Sequence, residues 1–164
     1  MKLFVAKEPA TESRVATSPD AIKRLAGLGI ETVVESGAGD RAGLPDRVLQ
    51  EAGASIASDA AVARAEAEIL VCVQPPAADG LEGARGGAVL LGLLSPYADH
   101  DRLESYAEAG VSAFAFEFVP RISRAQTMDA LSSQANLGGY SAVVQAAAQF
   151  GRAFPMMVTA AGTI

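Results

Sequence analysis

The sequence predicts an α/β protein with a doubly wound, mainly parallel sheet in a three-layer, Rossmann-like or flavodoxin-like arrangement, followed by a long C-terminal connecting helix. Short apolar runs alternate with helix-like segments along residues 1–120. In the predicted strand 68–73, the residues after Glu68 are apolar on both faces, which is typical of parallel strands covered by helices on either side. The proline-free stretch 127–154 is rich in Ala and Gln and predicts a helix of about 25 residues, more than twice the usual length.

Each element follows from apolar runs and their stop signals. The apolar run 2–6 predicts the first strand. Ser18 then supplies an N-cap and Pro19 a first-turn proline for a helix over 21–28, which Gly29 ends. The same reasoning predicts strands at 31–35, 68–73, 88–94 and 111–116 and helices at 45–52, 58–67 and 96–109.

Length and charge exclude several classes of protein. The 164 residues suit one domain, whereas a dehydrogenase with separate cofactor and substrate domains needs roughly twice as much chain. A net charge of -6 without a basic stripe argues against nucleic-acid binding. No apolar run approaches the roughly 20 residues of a membrane span, and the N-terminus lacks a signal-peptide core. The single cysteine, Cys72, is expected to be a packed core thiol in a reducing, cytoplasmic protein.

Neither the glycines nor the histidine predict a cofactor or metal site. The segment from Gly37 to Gly43 has one residue too many for G-x-G-x-x-G and leads into Leu-Pro-Asp instead of a packed helix. We therefore expect turn glycines there. His100 has no second His or Cys at ligand spacing, so no metal is expected.

The densest polar cluster follows the last predicted strand. On a helix, Gln126, Asp129 and Ser132 at i, i+3 and i+6 form one polar ridge, and Arg121 precedes it. The four side chains, at a strand end that α/β proteins use for ligands, could together hydrogen-bond a planar carboxamide. The alternative is a capping network, with Ser123 as N-cap and Asp129 in the first turns. The residues alone leave both interpretations open.

A second candidate site lies beyond the carboxyl end of the first strand. Lys7 and Arg14 could bind an anion there. They could equally pair with Glu8 and Glu12, and the sequence leaves this alternative open.

Four segments together resemble a known family. They are Lys7-Glu8 with Ser13-Arg-Val-Ala16, then Val34-Glu-Ser-Gly-Ala-Gly39, then the run from Pro120-Arg-Ile-Ser-Arg-Ala-Gln-Thr-Met-Asp to Tyr140, and Thr159-Ala-Ala-Gly162. These segments resemble the alpha subunit of the proton-translocating NAD(P) transhydrogenases, which share a superfamily with the alanine dehydrogenases. The resemblance covers the whole chain, and the stretch 120–140 is highly specific to the transhydrogenase branch.

The resemblance implies a function. In that family NAD(H) binds between a domain of this type and a Rossmann domain whose G-x-G-x-x-G loop this sequence does not contain. Hydride passes directly to or from NADP(H) on the partner beta subunit, and the membrane part couples the transfer to proton translocation. By motif, the resemblance puts Arg121, Gln126, Asp129 and Ser132 around the nicotinamide. Gln126 and Asp129 are then the catalytic residues, with Gln126 also facing the NADP nicotinamide, and no metal takes part.

The same resemblance implies domains and partners. Residues 1–120 are expected to form the N-terminal domain, 121–155 the nicotinamide-site segment and connecting helix, and 156–164 the start of a linker to a Rossmann domain. The expected partners are that Rossmann domain, the beta subunit, the membrane part and a second alpha chain in a homodimer. The location implied is cytoplasmic and peripheral at the inner face of the plasma membrane. The chain alone is expected to be incomplete and inactive.

Two alternatives remain. An alanine dehydrogenase shares Arg14, but that branch carries a lysine in Val-Lys-Glu-Pro after the apolar strand and a histidine after the following one. Here those places read Gln74 and Ser95-Pro96, which disfavours amino-acid oxidation. The other alternative is a non-catalytic, truncated or split assembly subunit that docks by its long helix.

Overall fold

A six-stranded parallel sheet, in the order β3-β2-β1-β4-β5-β6, forms the centre of the first of two units, Met1–Val119 and Pro120–Ile164. The structure is a computed structural model and describes residues 1–152, 154, 158–160 and 162–163. Every neighbouring pair in the sheet is parallel. The strands are β1 Lys2–Val5, β2 Glu31–Glu35, β3 Ser55–Ala57, β4 Ile69–Val71, β5 Val89–Gly92 and β6 Ser112–Ala115.

Helices follow the strands as the stop signals predict. The hydroxyl of Ser18 accepts a hydrogen bond from the N–H of Ala21 at 3.2 Å, and Pro19 occupies the first turn. Gly29, with φ of +75°, provides the left-handed turn after this helix. The helices are α1 Pro19–Gly27, α2 Asp46–Glu51, α3 Ala60–Glu66, α4 His100–Glu108 and α5 Ala130–Gln149. None of the described helices combines the length and apolarity that crossing a membrane requires.

Two apolar cores lie on opposite faces of the sheet. Leu3 and Val5 of β1 pack into one core with Ile22 of α1, whereas Phe4 packs into the other with Tyr106 of α4. Successive residues of a strand point to opposite faces, so β1 feeds both cores. The predicted doubly wound, three-layer fold is therefore confirmed.

The predicted strands at 68–73, 88–94 and 111–116 are shorter in the structure, and three further corrections concern β3, α3 and α4. Strand β3 was not expected, because three residues with a polar Ser55 make too short a signal. Helix α3 begins after Asp59, whose carboxylate accepts hydrogen bonds from two backbone N–H groups at 2.9 and 3.2 Å. Helix α4 begins at His100, not at 96, because Ser95 adopts a φ of 48° and Asp99 caps the helix.

The second unit contains the long helix, with other bounds than 127–154. A 3-10 helix covers Ser123–Met128, and Asp129 then separates it from α5 with φ of -78° and ψ of 83°. Helix α5 has 20 residues and ends where Phe150 becomes extended, with ψ of 109°. The prediction of a long connecting helix is confirmed, and its predicted first and last turns are wrong.

Gly138 and Gly139 of α5 have free space around them. Apart from the adjacent turns of the helix backbone, a Cβ on either glycine would meet no atom of the described residues within 4 Å. Of the predicted linker at 156–164, residues 156–157, 161 and 164 lie outside the described residues. Within it, β7 Val158–Thr159 pairs antiparallel with β8 Gly162–Thr163.

Candidate functional site

Asp129 is the N-cap of α5, and hydrogen bonds hold its side chain in place. One carboxylate oxygen accepts the N–H of Ser132 at 2.9 Å, and the other accepts its hydroxyl at 2.5 Å. The hydroxyl of Ser133 donates to the Asp129 carbonyl at 3.0 Å. The hydrogen bonds from Ser132 lower the pKa of Asp129, and the positive charge of Arg121 adds to them. Asp129 is therefore an ionised carboxylate held in one orientation at the start of α5.

The other two predicted site residues, Gln126 and Arg121, belong to the segment before Asp129. Gln126 belongs to the 3-10 helix, its side chain is exposed, and its carbonyl accepts the N–H of Asp129 at 3.3 Å. Arg121 is exposed and acts on Asp129 through its charge. The predicted ridge on one continuous helix is wrong. Gln126 lies in the 3-10 helix, Asp129 is the N-cap between the two helices, and Ser132 lies in α5. Ser123 is likewise not the N-cap of α5.

The capping geometry gives a stability prediction. Replacing Asp129 by alanine leaves the N–H of Ser132 without its acceptor, so we expect a loss of about 1 kcal/mol in the free energy of unfolding. Asparagine at the same position retains a capping oxygen and serves as the matched control. Urea unfolding followed by circular dichroism checks this, and equal losses in both variants would show that the cap is not the cause.

Glu12, Arg14 and Gln74 form a connected group at the carboxyl edge of the sheet. Arg14 donates to both carboxylate oxygens of Glu12, from Nε at 2.8 Å and from Nη2 at 2.6 Å. The side-chain amide of Gln74 donates to the same carboxylate at 2.7 Å. The Arg14 hydrogen bonds outweigh the effect of burial and lower the pKa of Glu12 to about 2. The sequence left open whether Arg14 binds an anion or pairs with a glutamate. The structure contains the pair with Glu12, and Glu12 is buried instead of lying at the surface.

Lys7, the other cation of this candidate site, has different neighbours. Its backbone N–H donates to the Glu35 carboxylate at 2.8 Å. Its Nζ and the Asp40 carboxylate both lie beside Gly37, 3.2 and 3.0 Å from where a Cβ on that glycine would stand. The backbone of Lys7 thus bonds Glu35, whereas the guanidinium of Arg14 bonds Glu12.

Sequence reasoning missed the role of Glu8. Its side chain is 6% exposed, and its carboxylate accepts the N–H groups of Val73 at 2.6 Å and Gln74 at 3.0 Å. Arg41 fastens the same loop by donating to the carbonyls of Glu8, Pro9 and Glu12 at 2.6, 2.7 and 3.0 Å. The sequence signal for this role was the position of Glu8, a carboxylate shortly after the apolar strand β1.

Cys72 is a packed thiol, as the sequence predicts. It is 9% exposed, and its Sγ lies 3.6 Å from the carbonyl oxygen of Leu91. Burial raises the pKa of this thiol to about 12, and the charges of Glu8 and Glu117 act in the same direction.

Because the Cys72 thiol is buried, we expect it to react slowly with thiol reagents in the folded protein. At pH 8 we expect an aromatic disulfide reagent to modify Cys72 at least about a hundred times more slowly in the native protein than in urea, because the thiolate is the nucleophile. Absorbance of the released thiol measures both rates. Native labelling as fast as that of the unfolded chain would contradict the burial.

The glycine-rich loop and the histidine also fit turn and cap roles. Gly37 and Gly43 adopt left-handed φ values of 71° and 73° around a three-residue 3-10 turn. His100 is the exposed first residue of α4. In the part of the chain that the structure describes, no group of three or more His, Cys, Asp or Glu side chains could hold a metal ion.

Comparisons with known proteins give consistent matches. The family described as alanine dehydrogenase/PNT, N-terminal domain matches residues 4–138. A protein of Rhodospirillum rubrum, named as one part of the NAD(P) transhydrogenase alpha subunit, is 47% identical over 170 aligned residues, covering 100% of this chain and 44% of the relative. The crystal structure of transhydrogenase from Sinorhizobium meliloti has a TM-score of 0.90 at 44% identity, over 100% of this chain and 49% of that one. An L-alanine dehydrogenase structure shares the fold, with a TM-score of 0.81 and 24% identity over 99% of this chain and 46% of that one. The chain thus spans less than half the length of these relatives.

Proposed function

This chain belongs to the alanine dehydrogenase/PNT N-terminal domain family, and from that premise we propose that it forms the NAD(H)-site part of an NAD(P) transhydrogenase alpha subunit. The role we propose for it is in direct hydride transfer between NAD(H) and NADP(H), coupled to proton translocation. The Rhodospirillum relative is named for transhydrogenation, and its match covers all of this chain.

The observation that carries the proposal is the arrangement at the start of α5. A nicotinamide carboxamide offers two N–H donors and one carbonyl acceptor. The ionised Asp129 carboxylate can accept from such an amide, because each of its oxygens has lone pairs beyond those used by Ser132. The guanidinium of Arg121 and the exposed amide of Gln126 supply donors in the same segment. The donor and acceptor set therefore fits a carboxamide.

In the proposed mechanism, the side chains of this chain position the nicotinamide for hydride transfer. The nicotinamide supplies the hydride chemistry, so the chain needs no nucleophile or metal. Asp129 orients the carboxamide, and Ser132 keeps Asp129 in place and ionised. Gln126 is proposed to lie between the two nicotinamide rings and to set their approach. Arg121 is proposed to contribute positive charge beside the carboxamide.

The proposal implies partners that supply the rest of the site. They are a Rossmann domain that binds the NAD(H) phosphates, the beta subunit that carries NADP(H), the membrane part and a second alpha chain. The Rhodospirillum relative is named as a portion of an alpha subunit, which supports an assembly of several chains. We propose the division 1–120, 121–155 and 156–164 for the chain, and a peripheral position on the cytoplasmic face of the plasma membrane.

The isolated chain is expected to bind NADH with a Kd above about 1 mM, because the sequence contains no G-x-G-x-x-G loop for the pyrophosphate. Isothermal titration of the 164-residue chain with NADH measures this directly. Micromolar affinity would overturn the shared-site proposal. Adding the Rossmann partner as a separate chain is expected to restore binding, and a failure to do so would favour the non-catalytic assembly subunit.

Amino-acid oxidation is not the function that the site supports. The side chain of Gln74 donates to Glu12, and Ser95 is an exposed turn residue whose N–H donates to the Glu117 carboxylate at 2.7 Å. Neither of these side chains supplies the ammonium or imidazole that the alanine dehydrogenase branch carries at the corresponding places.

A further inference from the structure

The topology creates one crevice in the first unit where strand order reverses. The chain runs outward from β1 through β2 to β3 and then returns to β4 on the other side of β1. In open parallel sheets the loops at such a reversal separate, and ligands bind at the carboxyl ends of the two strands. Here those ends are the loops that follow Val5 and Val71.

The side chain of Glu8 occupies this crevice. It leaves the loop after β1 and places its two carboxylate oxygens on consecutive N–H groups of the loop after β4, at 2.6 Å from Val73 and 3.0 Å from Gln74. Consecutive backbone N–H groups that point the same way form a concavity that binds anions. Glu8 is 6% exposed, and its own carboxylate accepts both of these N–H groups.

At the loop after β5, a second glutamate carboxylate accepts two consecutive backbone N–H groups. The two carboxylate oxygens of Glu117 accept the N–H groups of Leu94 at 3.1 Å and Ser95 at 2.7 Å, in the loop after β5. In both cases the carboxylate comes from the loop of the neighbouring strand, β1 beside β4 and β6 beside β5.

We propose that the paired N–H groups of Val73 and Gln74 form a carboxylate-binding site at the strand-order reversal, which this chain keeps filled with its own Glu8. The site accepts a small monocarboxylate, such as formate or acetate, when the Glu8 side chain is removed. It shares no residue with the nicotinamide segment at 121–132, and it does not depend on the proposed function.

The chemistry of the site selects a carboxylate over a neutral group. Two donors side by side match the two oxygens of a planar carboxylate. A carboxamide presents one oxygen and one NH2 group, so one of its ends would meet an N–H with another donor. The guanidinium of Arg41, which bonds the carbonyls of Glu8 and Pro9, adds positive charge next to the crevice.

Chemical rescue tests the proposal. We expect the thermal midpoint of Glu8→Ala to fall below that of the parent chain and to rise in sodium acetate relative to sodium chloride at equal ionic strength. At acetate concentrations tenfold above its Kd the rise should be about 3 °C or more. Acetate should also shift the 15N-resolved amide signals of Val73 and Gln74 in a saturating manner.

Two variants serve as controls. Glu8→Gln fills the same space, so acetate should not raise its midpoint. Glu35→Ala removes a carboxylate that accepts one backbone N–H, from Lys7, and it should respond to acetate as the parent does. An equal acetate response in the parent or in either control overturns the proposal, as does an unresponsive Glu8→Ala. If Glu8→Ala does not fold in chloride, refolding yields in acetate and chloride are compared, and no recovery in acetate also overturns it.

Discussion

If the proposed function holds, replacing Gln126 by asparagine in the assembled complex is expected to slow hydride transfer about a hundredfold while changing NADH affinity by less than about threefold. Asparagine retains the side-chain amide but is one methylene shorter, so the amide lies closer to the backbone and farther from the proposed position between the nicotinamide rings. If Gln126 sets the approach of the two rings, this displacement lengthens the transfer distance without removing a contact that holds NADH alone. Single-turnover transfer, measured by stopped flow with a saturating analogue of NADP(H), checks the rate.

The control is chosen from the same unit. Gln145→Asn changes the same residue type on α5, where the side chain donates to Ser141 at 2.8 Å. Its transfer rate should equal that of the parent. An unchanged rate in Gln126→Asn removes Gln126 from the reaction, and equal losses of rate and NADH affinity would make it a binding residue.

Glu12→Gln is expected to lower the free energy of unfolding at pH 7 by about 2 kcal/mol. The variant keeps the volume but loses the charge that receives hydrogen bonds from the guanidinium and from the backbone N–H of Arg14. The loss should lie below that of breaking a fully buried pair, because the Arg14 side chain is 40% exposed. Glu51→Gln, in an exposed pair with Arg47, is the matched control and should cost less than about 0.5 kcal/mol.

The same pair predicts the pH dependence of this difference. The Arg14 hydrogen bonds lower the pKa of Glu12 from 4.5 in its ordinary state to about 2 in the folded protein. Its contribution to stability is therefore complete above pH 4.5 and is lost as the pH falls toward 2. Urea titrations of parent and Glu12→Gln between pH 7 and the lowest pH at which both fold should show the two stabilities converging. A constant difference would contradict the ion-pair origin.

The polar segment shows how far local patterns reach. Composition and spacing identified Gln126, Asp129 and Ser132 as one cluster, and the structure does place Ser132 on Asp129. The pattern assumed one continuous helix, but the capping energy of Asp129 divides the segment into a 3-10 helix and α5. An N-cap and an internal helix residue have the same letters and spacing, so only the backbone distinguishes them.

Glu8 and Glu12 show what spacing along the chain cannot reveal. Both follow β1 in sequence, yet their partners Val73 and Gln74 lie more than 60 residues later. The sequence offered these glutamates as surface partners of cations, whereas the structure buries them at the junction of two loops. A charged residue is buried only when donors from elsewhere converge on it, and that convergence depends on the order of strands in the sheet.

The sequence alone determined the fold class, the positions of five of the six sheet strands, the capping of α1 and the family resemblance. Each of these depends on local periodicity, on glycine and proline signals or on short motifs read directly along the chain. Tertiary structure alone decided the strand order, the short strand β3, the break at Asp129 and the closure of the reversal crevice by Glu8. These features arise from contacts between distant segments, whose free energy is not carried by any single stretch of sequence.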